Sequence, residues 1–317
     1  MKYPIHQFIQ QVLHDAGLDI RAWCYERSLY VEENGAVLLV NDDEFYDFLI
    51  AHKRALTGKC IANLSNLELY RHFNSLVYYT LVGANAIEGL QRYIDFKNQI
   101  GPIGIELKES ETEFILRFIH KSTGLILTDQ MLKLEHAYIV NVLGQGGGTY
   151  TSWQGRKHKG GRLVENRLVF QRTELQFPFL KSHNFMSQYL IKARAPYYNQ
   201  LMTESGHFSH LLIDEILMGL LRHEYHIISL AKQLQMNERA IQRHLHDEGT
   251  SYKRLLKDVQ QMMIKVYLDL SISSEEIAFL TGFTTLRDFL KTFRAWFGKG
   301  FAAYTEERRN SKREFLS

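Results

Sequence analysis

Cysteine is scarce in this chain: its 317 residues include two, Cys24 and Cys60, and neither belongs to a C-x-x-C pair. That excludes a cysteine-built zinc site and a dithiol redox motif. Both thiols are expected to be buried and idle, not bridged. Long apolar runs are missing as well. No stretch approaches the roughly 18 apolar residues that span a bilayer. The start lacks the basic, apolar, small-residue order of a secretory signal, so a cytoplasmic protein with no membrane partner is expected. An excess of one charge is also lacking. The net charge is +3 with neutral histidine, and residues 209–317 hold 16 Lys+Arg against 14 Asp+Glu, a balance of +2. Bulk charge makes no case for nucleic acid, so any such binding must rest on where individual cations stand.

Catalytic signatures are absent too. The run Gly144-Gln145-Gly146-Gly147-Gly148 has no Lys-Ser/Thr behind it, so it reads as a flexible loop and not a phosphate cradle. Neither G-x-S-x-G nor H-E-x-x-H occurs. His6, His14, His52 and His72 are scattered along the chain and read as core or surface residues, not metal ligands. No enzyme, cofactor or metal is expected.

What is present is a change of texture near residue 200. Residues 1–200 mix helical and strand patterns and predict an α+β domain, read as effector-binding or dimerising. Helical spacing marks Tyr3–Ala16, Asp42–Leu56 and a longer stretch, Leu64–Phe96. Ile103, Ile105 and Leu107, then Phe114, Leu116 and Phe118, alternate about a polar turn and predict an antiparallel hairpin within Pro102–His120. Asp129–Leu143 returns to helix, with Thr128 as its N-cap. Leu163–Phe170 and Thr173–Phe177 have strand composition, with a turn near Asn166. A helix from His183 leads out, and Pro196 and Gly206 place a hinge within Ala195–His207.

From residue 209 to 310 the pattern is all helix. His210–His223 and Ile227–Leu234 come first. After a three-residue break, Asn237 caps Glu238–Asp247, and Gly249 stops it. Two helices joined by so short a turn form a helix-turn-helix unit. A long helix, Ser251–Leu270, follows. The pattern then recurs: Ser273 and Glu276 form a capping box, Glu275–Leu280 is a short helix, Gly282 lies in the turn, Thr285–Trp296 is a second recognition helix, and Gly298 ends it. The spacer is roughly 27–30 Å long, comparable to one DNA turn of about 34 Å. On periodicity alone, a six- or seven-helix bundle with no DNA role fits equally well.

The sequences themselves add a resemblance. Residues 229–256 read SLAKQLQMNERAIQRHLHDEGTSYKRLL and residues 273–298 read SSEEIAFLTGFTTLRDFLKTFRAWFG. Together they resemble the two motifs of the AraC/XylS DNA-binding domain. The stretches Leu81–Leu107 and Leu163–Pro178 more loosely resemble the N-terminal effector domain, labelled arabinose-binding-like, of one AraC/XylS subgroup. The resemblance implies a bacterial transcription regulator that binds double-stranded DNA and answers to a small-molecule effector of unknown identity. RNA polymerase and a second copy of the chain are the further candidate partners. A non-DNA interaction scaffold, or a ligand-independent regulator whose first domain only dimerises, remain the alternatives. Two cysteines exclude the four-cysteine zinc plan of DNA-repair relatives. The chain departs from the family pattern after Gly298, where a Ser/Thr-Pro pair is missing, and at Tyr304, which Thr305 follows in place of Arg. A looser final turn is expected there. Gln260 stands where the spacer helix commonly carries Arg.

The positions with a structural reason are Ala231, Leu234, Ile241 and Leu245 in one small core and Ile277, Ala278, Phe283, Phe289 and Phe293 in the other. Arg239, Gln242 and Arg243 share the face opposite Ile241 and Leu245, and Arg and Gln pair with guanine and adenine edges. His244 and His246 are within reach of phosphate. Arg287 and Lys291 share a face of the second helix with Leu286 and Leu290 nearby. Leu290 either meets a thymine methyl or packs, and Asp288 beside it is unfavourable near phosphate. Tyr252, Lys253, Arg254, Arg294 and Lys299 are candidate phosphate contacts. In the first domain Tyr70, Phe73, Tyr78 and Tyr79, with Tyr93 and Phe96, either line an apolar effector pocket or pack as core. Trp153 with Arg156, Lys157 and His158 forms a cationic loop that would suit an acid.

Overall fold

The structure, a computed structural model, describes residues 2–29, 32–34, 37–67, 74–101, 103–121, 127–146, 161–179, 185–203, 205–270 and 272–314. The chain divides into two compact units, Met1–Tyr189 and Leu190–Ser317. The first is α+β and the second all-α, the fold class expected.

The first unit opens with strand β1 (Lys2–His6), helices α1 (Gln7–Asp15) and α2 (Ile20–Glu26), strands β2 (Glu32–Asn34) and β3 (Val37–Asn41), and helices α3 (Asp42–Ala51), α4 (Gly58–Leu64), α5 (Ser75–Leu81) and α6 (Ala86–Gln99). Strands β4 (Ile103–Glu109) and β5 (Glu113–His120), helix α7 (Asp129–Gln145), and strands β6 (Arg162–Val164) and β7 (Arg167–Gln171) complete it. Its strands form two antiparallel sheets, ordered β1-β3-β2 and β4-β5-β7-β6. The second sheet bears out the hairpin reading. Phe114 faces Phe170 and Leu116 faces Leu168 across β5 and β7, all four fully buried, while Arg117 points to solvent. Period-two alternation has put one face in the core.

Three local readings are corrected. The helix expected from Tyr3 begins only at Gln7. Lys2–His6 is instead a strand whose Ile5 lies opposite Leu38, both with no exposed surface, and that buried cross-strand pair overrides the local spacing. The region Leu64–Phe96 is not continuous. Asn74 and Asn85 each start a new helix by accepting from the N–H of Val77 and of Glu88, both at 3.0 Å. Thr173–Phe177 has strand composition, but Arg172–Leu175 is a 3-10 turn closed by the Glu174 carboxylate on the Gln171 N–H at 2.8 Å. The Thr128 cap and the turn at Asn166 stand as read.

The interior of this unit holds charge. Lys97 lies 2.7 Å from Glu135, which also accepts from the Tyr93 hydroxyl at 2.9 Å. Arg92 pairs with Glu88 at 3.2 Å and sits 5.0 Å over the Tyr79 ring. Lys97 is 5 % exposed and Glu135 9 %. Cys24 and Cys60 are free and buried, and burial raises both thiols.

Helix α8 (Phe185–Thr203) contains the boundary between the units and runs through Pro196, where a hinge was expected. The second unit continues with α9 (His207–Arg222), α10 (Ile227–Gln233), α11 (Glu238–Asp247), α12 (Tyr252–Asp269), α13 (Ser274–Leu280), α14 (Leu286–Phe297) and α15 (Phe301–Glu314). Every predicted cap in it forms: Asn237 on the Ala240 N–H at 2.8 Å, and the reciprocal Ser273–Glu276 box. No helix among the described residues is long and apolar enough to cross a membrane.

Two clasps hold this unit together. The Tyr197 hydroxyl donates to Asp269 at 2.5 Å, and Arg308 grips the same carboxylate through two nitrogens, at 3.2 and 3.0 Å, joining α8, α12 and α15. The second clasp is Tyr225, between α9 and α10, whose hydroxyl donates to the Gly282 carbonyl at 2.6 Å. Gly282 has φ +83°, and a Cβ there would fall 2.5 Å from the Tyr225 ring. Gly249, at φ +71°, has nothing within 4 Å. Gly249→Ala should therefore cost about 1 kcal/mol, for left-handed backbone alone. Gly282→Ala should cost more, because the ring must also move. Denaturant midpoints of the two variants measure this, and equal losses would show that the Tyr225 contact adds nothing.

Candidate nucleic-acid interface

Each recognition helix buries one stripe and exposes another. In α11, Ile241 and Leu245 are fully buried, while Arg239, Gln242, Arg243 and His246 are exposed. These four recur at i, i+3, i+4 and i+7, so they share a face. His246 belongs with the face more clearly than His244. The ring of His244 lies 4.8 Å from Phe208, against α9, though it too is exposed.

In α14, Phe289 and Phe293 are fully buried and Arg287, Lys291 and Arg294 are exposed. Leu286 is half-buried and Leu290 is 37 % exposed. Asp288 takes the Thr285 hydroxyl at 2.7 Å and gives its own N–H to it at 3.1 Å. The acid therefore closes the helix start and favours the positive end of the dipole.

Arg239, Gln242, Arg243, Arg287 and Lys291 form no hydrogen bond or ion pair with any described residue. The five candidate phosphate contacts divide. Lys253, Arg254 and Arg294 are exposed. Lys299 is exposed and paired with Glu307 at 2.6 Å. Tyr252 is half-buried, with its hydroxyl donating to the Tyr225 carbonyl; burial raises that phenol, and the neighbouring Tyr225 raises it further.

The second motif is seated by residues whose roles need the fold to be seen. Gln260 is buried and donates to the Thr281 carbonyl at 2.9 Å, tying the spacer α12 to the end of α13. Lys257 lies 6.0 Å over the Trp296 ring, tying α12 to α14. The final turn is not loose: Gly298 ends α14 in the left-handed region, and α15 follows with Phe301 at 5.1 Å and Tyr304 at 5.4 Å from Phe293. Among the small-core assignments, Leu234 and Phe283 are half-buried and the others are buried.

The effector candidates separate as well. Tyr78 and Tyr79 are buried in α5, and burial pushes the Tyr79 phenol up to about 12 in spite of Arg92 beside it. Tyr93 and Phe96 are buried in α6. Tyr70, Phe73, Trp153, Arg156, Lys157 and His158 lie outside the described residues.

Glu248 ends α11 and turns back on α9. It accepts from the Phe208 N–H at 2.6 Å, the Ser209 N–H at 2.9 Å and the Ser209 hydroxyl at 2.6 Å. It thereby supplies a cap to α9, whose N-cap Gly206 has no side chain to do so. Burial alone would raise its carboxyl, but these hydrogen bonds and His210 outweigh it and hold it below the ordinary 4.5. A depressed carboxylate stabilises the fold above its unfolded value, and that contribution disappears as pH falls through the folded value. Glu248→Ala should cost about 0.5–2 kcal/mol at neutral pH, the range for a lost cap. The gap from wild type should close on acidification below pH 4.5; a gap independent of pH in thermal melts would contradict this.

Residues 230–307 match the helix-turn-helix domain family. Two relatives from Pseudomonas aeruginosa match part of the chain. The HTH-type transcriptional regulator VqsM is 29 % identical over 139 residues, 40 % of this chain and 41 % of that one. The Ornithine utilization regulator is 36 % identical over 77 residues, 24 % of this chain and 23 % of that one. The chain thus spans less than half the length of either. A crystal structure of the transcriptional regulator CdpR from the same organism aligns over 94 % of this chain and 96 % of its own, with 16 % identity and a TM-score of 0.33. A likeness that loose carries no weight.

Proposed function

We propose that the chain is a transcription regulator of the AraC type whose segment 209–310 binds DNA, residues 230–307 matching the helix-turn-helix domain family. The observation that carries the reading is the pair of exposed recognition faces, whose cations Arg239, Arg243, Arg287 and Lys291 are unpaired among the described residues. Arg239, Gln242 and Arg243 face base edges. Lys253, Arg254 and Arg294 hold phosphate, and Lys299 joins them once it leaves Glu307.

Residues 1–200 act, in this proposal, as an effector domain. A ligand that binds one conformation better than another shifts the DNA-competent population by its differential affinity and no more. The support is the buried ionic set of Arg92, Lys97 and Glu135. Buried ions are seldom the most stable choice, and their presence fits a domain that recognises a polar or charged small molecule. Dimerisation through the same domain and contact with RNA polymerase belong to this reading as further partners.

Enrichment of duplexes from a random pool, followed by mobility shift on the selected site, tests the DNA reading. Arg239→Ala with Arg243→Ala should abolish selective binding, at about 1–3 kcal/mol per base pairing lost. Lys253→Ala should weaken all sequences alike and lower the salt slope by about one. Failure to enrich any sequence would leave the scaffold alternative standing. Thermal-shift screening of metabolites tests the effector reading, since a ligand of the folded state raises the midpoint by mass action. No response across a broad library would favour a domain that only dimerises.

A further inference from the structure

We propose that the second recognition helix reads thymine C5-methyl groups through Leu290, so that the two heads recognise different chemistry in their half-sites. This rests on the DNA-binding reading above and deepens it.

The exposed face of α11 is made wholly of hydrogen-bonding groups: Arg239, Gln242, Arg243 and His246. That face suits purine acceptors, because guanine offers N7 and O6 and adenine N7 with an N6 donor. The face of α14 differs. Leu286 and Leu290 stand at i and i+4, flanked by Arg287, Lys291 and Arg294. Leu290 is 37 % exposed, and of the large apolar side chains exposed among the described residues it alone lies on a recognition helix. Leu286, half-buried, stands one turn before it on the same face. An apolar tip ringed by cations is badly placed in water. It is well placed in a major groove, where the cations meet phosphate or guanine and the tip meets the one apolar group a base pair presents there, the thymine methyl. Asp288 would be the helix's means of accepting from cytosine N4, but the Thr285 hydroxyl and the helix start already hold it. What α14 offers a base edge is therefore methyl contact at Leu290 and guanine acceptor contact at Arg287.

The test uses the full chain and the duplex it selects from a random pool. Each thymidine of that duplex is replaced in turn by deoxyuridine, which keeps the pairing and the O4 acceptor and loses only the methyl. The half-site of α14 is identified as the one whose protection Arg287→Ala removes. Within it, deoxyuridine at one or two positions should weaken wild-type binding about fourfold each, the worth of one buried methyl-sized group. Leu290→Ala should bind the thymidine and deoxyuridine duplexes equally. Leu290→Gln should shift the selected base at that position from thymine towards adenine, and a thermal midpoint near wild type for each variant shows that both fold. Selective binding indifferent to deoxyuridine throughout that half-site would overturn the assignment while leaving the DNA reading intact. So would a deoxyuridine loss that persists undiminished in Leu290→Ala. Failure to select any duplex would overturn both.

Discussion

The second unit depends on the contact of Tyr225 with Gly282. A long spacer helix sets the separation of two helix-turn-helix units along its axis but does not by itself fix their rotation about it. Tyr225 supplies that constraint. Its hydroxyl donates to the carbonyl in the turn of the second motif, its ring fills the space where a side chain at position 282 would stand, and its own carbonyl receives the Tyr252 hydroxyl from the start of the spacer. Around it, the rings of His223 and Phe279 lie 4.9 Å apart, and Gln260 holds the Thr281 carbonyl. Each such bond has a net worth of only about 0.5–1.5 kcal/mol. Together they settle the geometry before any partner arrives, and pre-organisation of this kind lowers the ordering cost of binding.

Much of this unit was legible from its residues because its helix ends are written locally. Asn237, Ser273 and Thr285 are caps, and Gly249, Gly282 and Gly298 take positive φ, all within a few residues of the helix they delimit. What escaped is non-local. Tyr225 and Gly282 are 57 positions apart, and nothing in either neighbourhood marks the pair. Tyr252 has the look of a surface phenol suited to phosphate until the Tyr225 carbonyl is seen beside it. Helix α15 was missed because its run from Thr305 is mostly polar and charged; two aromatics at its start, Phe301 and Tyr304, anchor it on Phe293.

The first unit was harder to read for a related reason. Strand β1 carries no strand signal of its own and owes its form to β3, more than thirty residues on. The alternation of Phe114, Leu116 and Phe118 could be read because each strand of that hairpin carries its own period. The aromatic segment around Tyr78 and Tyr79 was ambiguous in sequence, since ring-rich helices serve cores and pockets alike, and the structure places both rings in the interior.

Charge use within the second unit separates residues that hold the fold from residues left for something else. Asp269 binds Arg308 and Tyr197, Glu248 caps α9, Asp288 closes α14, and Lys299 meets Glu307. These acids are thus taken up internally. The cations of the two recognition faces are not: among the described residues, Arg239 and Arg243 on α11, and Arg287 and Lys291 on α14, stand exposed without a carboxylate partner. Solvent screening makes this cheap, and surface ion pairs would add little stability in any case. Pairing them would, however, have neutralised positive charge that a chain with a net charge of +3 holds on its recognition helices. The near-neutral balance of the unit is therefore compatible with binding phosphate, because several of its acids are committed to the scaffold while Arg239, Arg243, Arg287 and Lys291 stay exposed on the recognition helices.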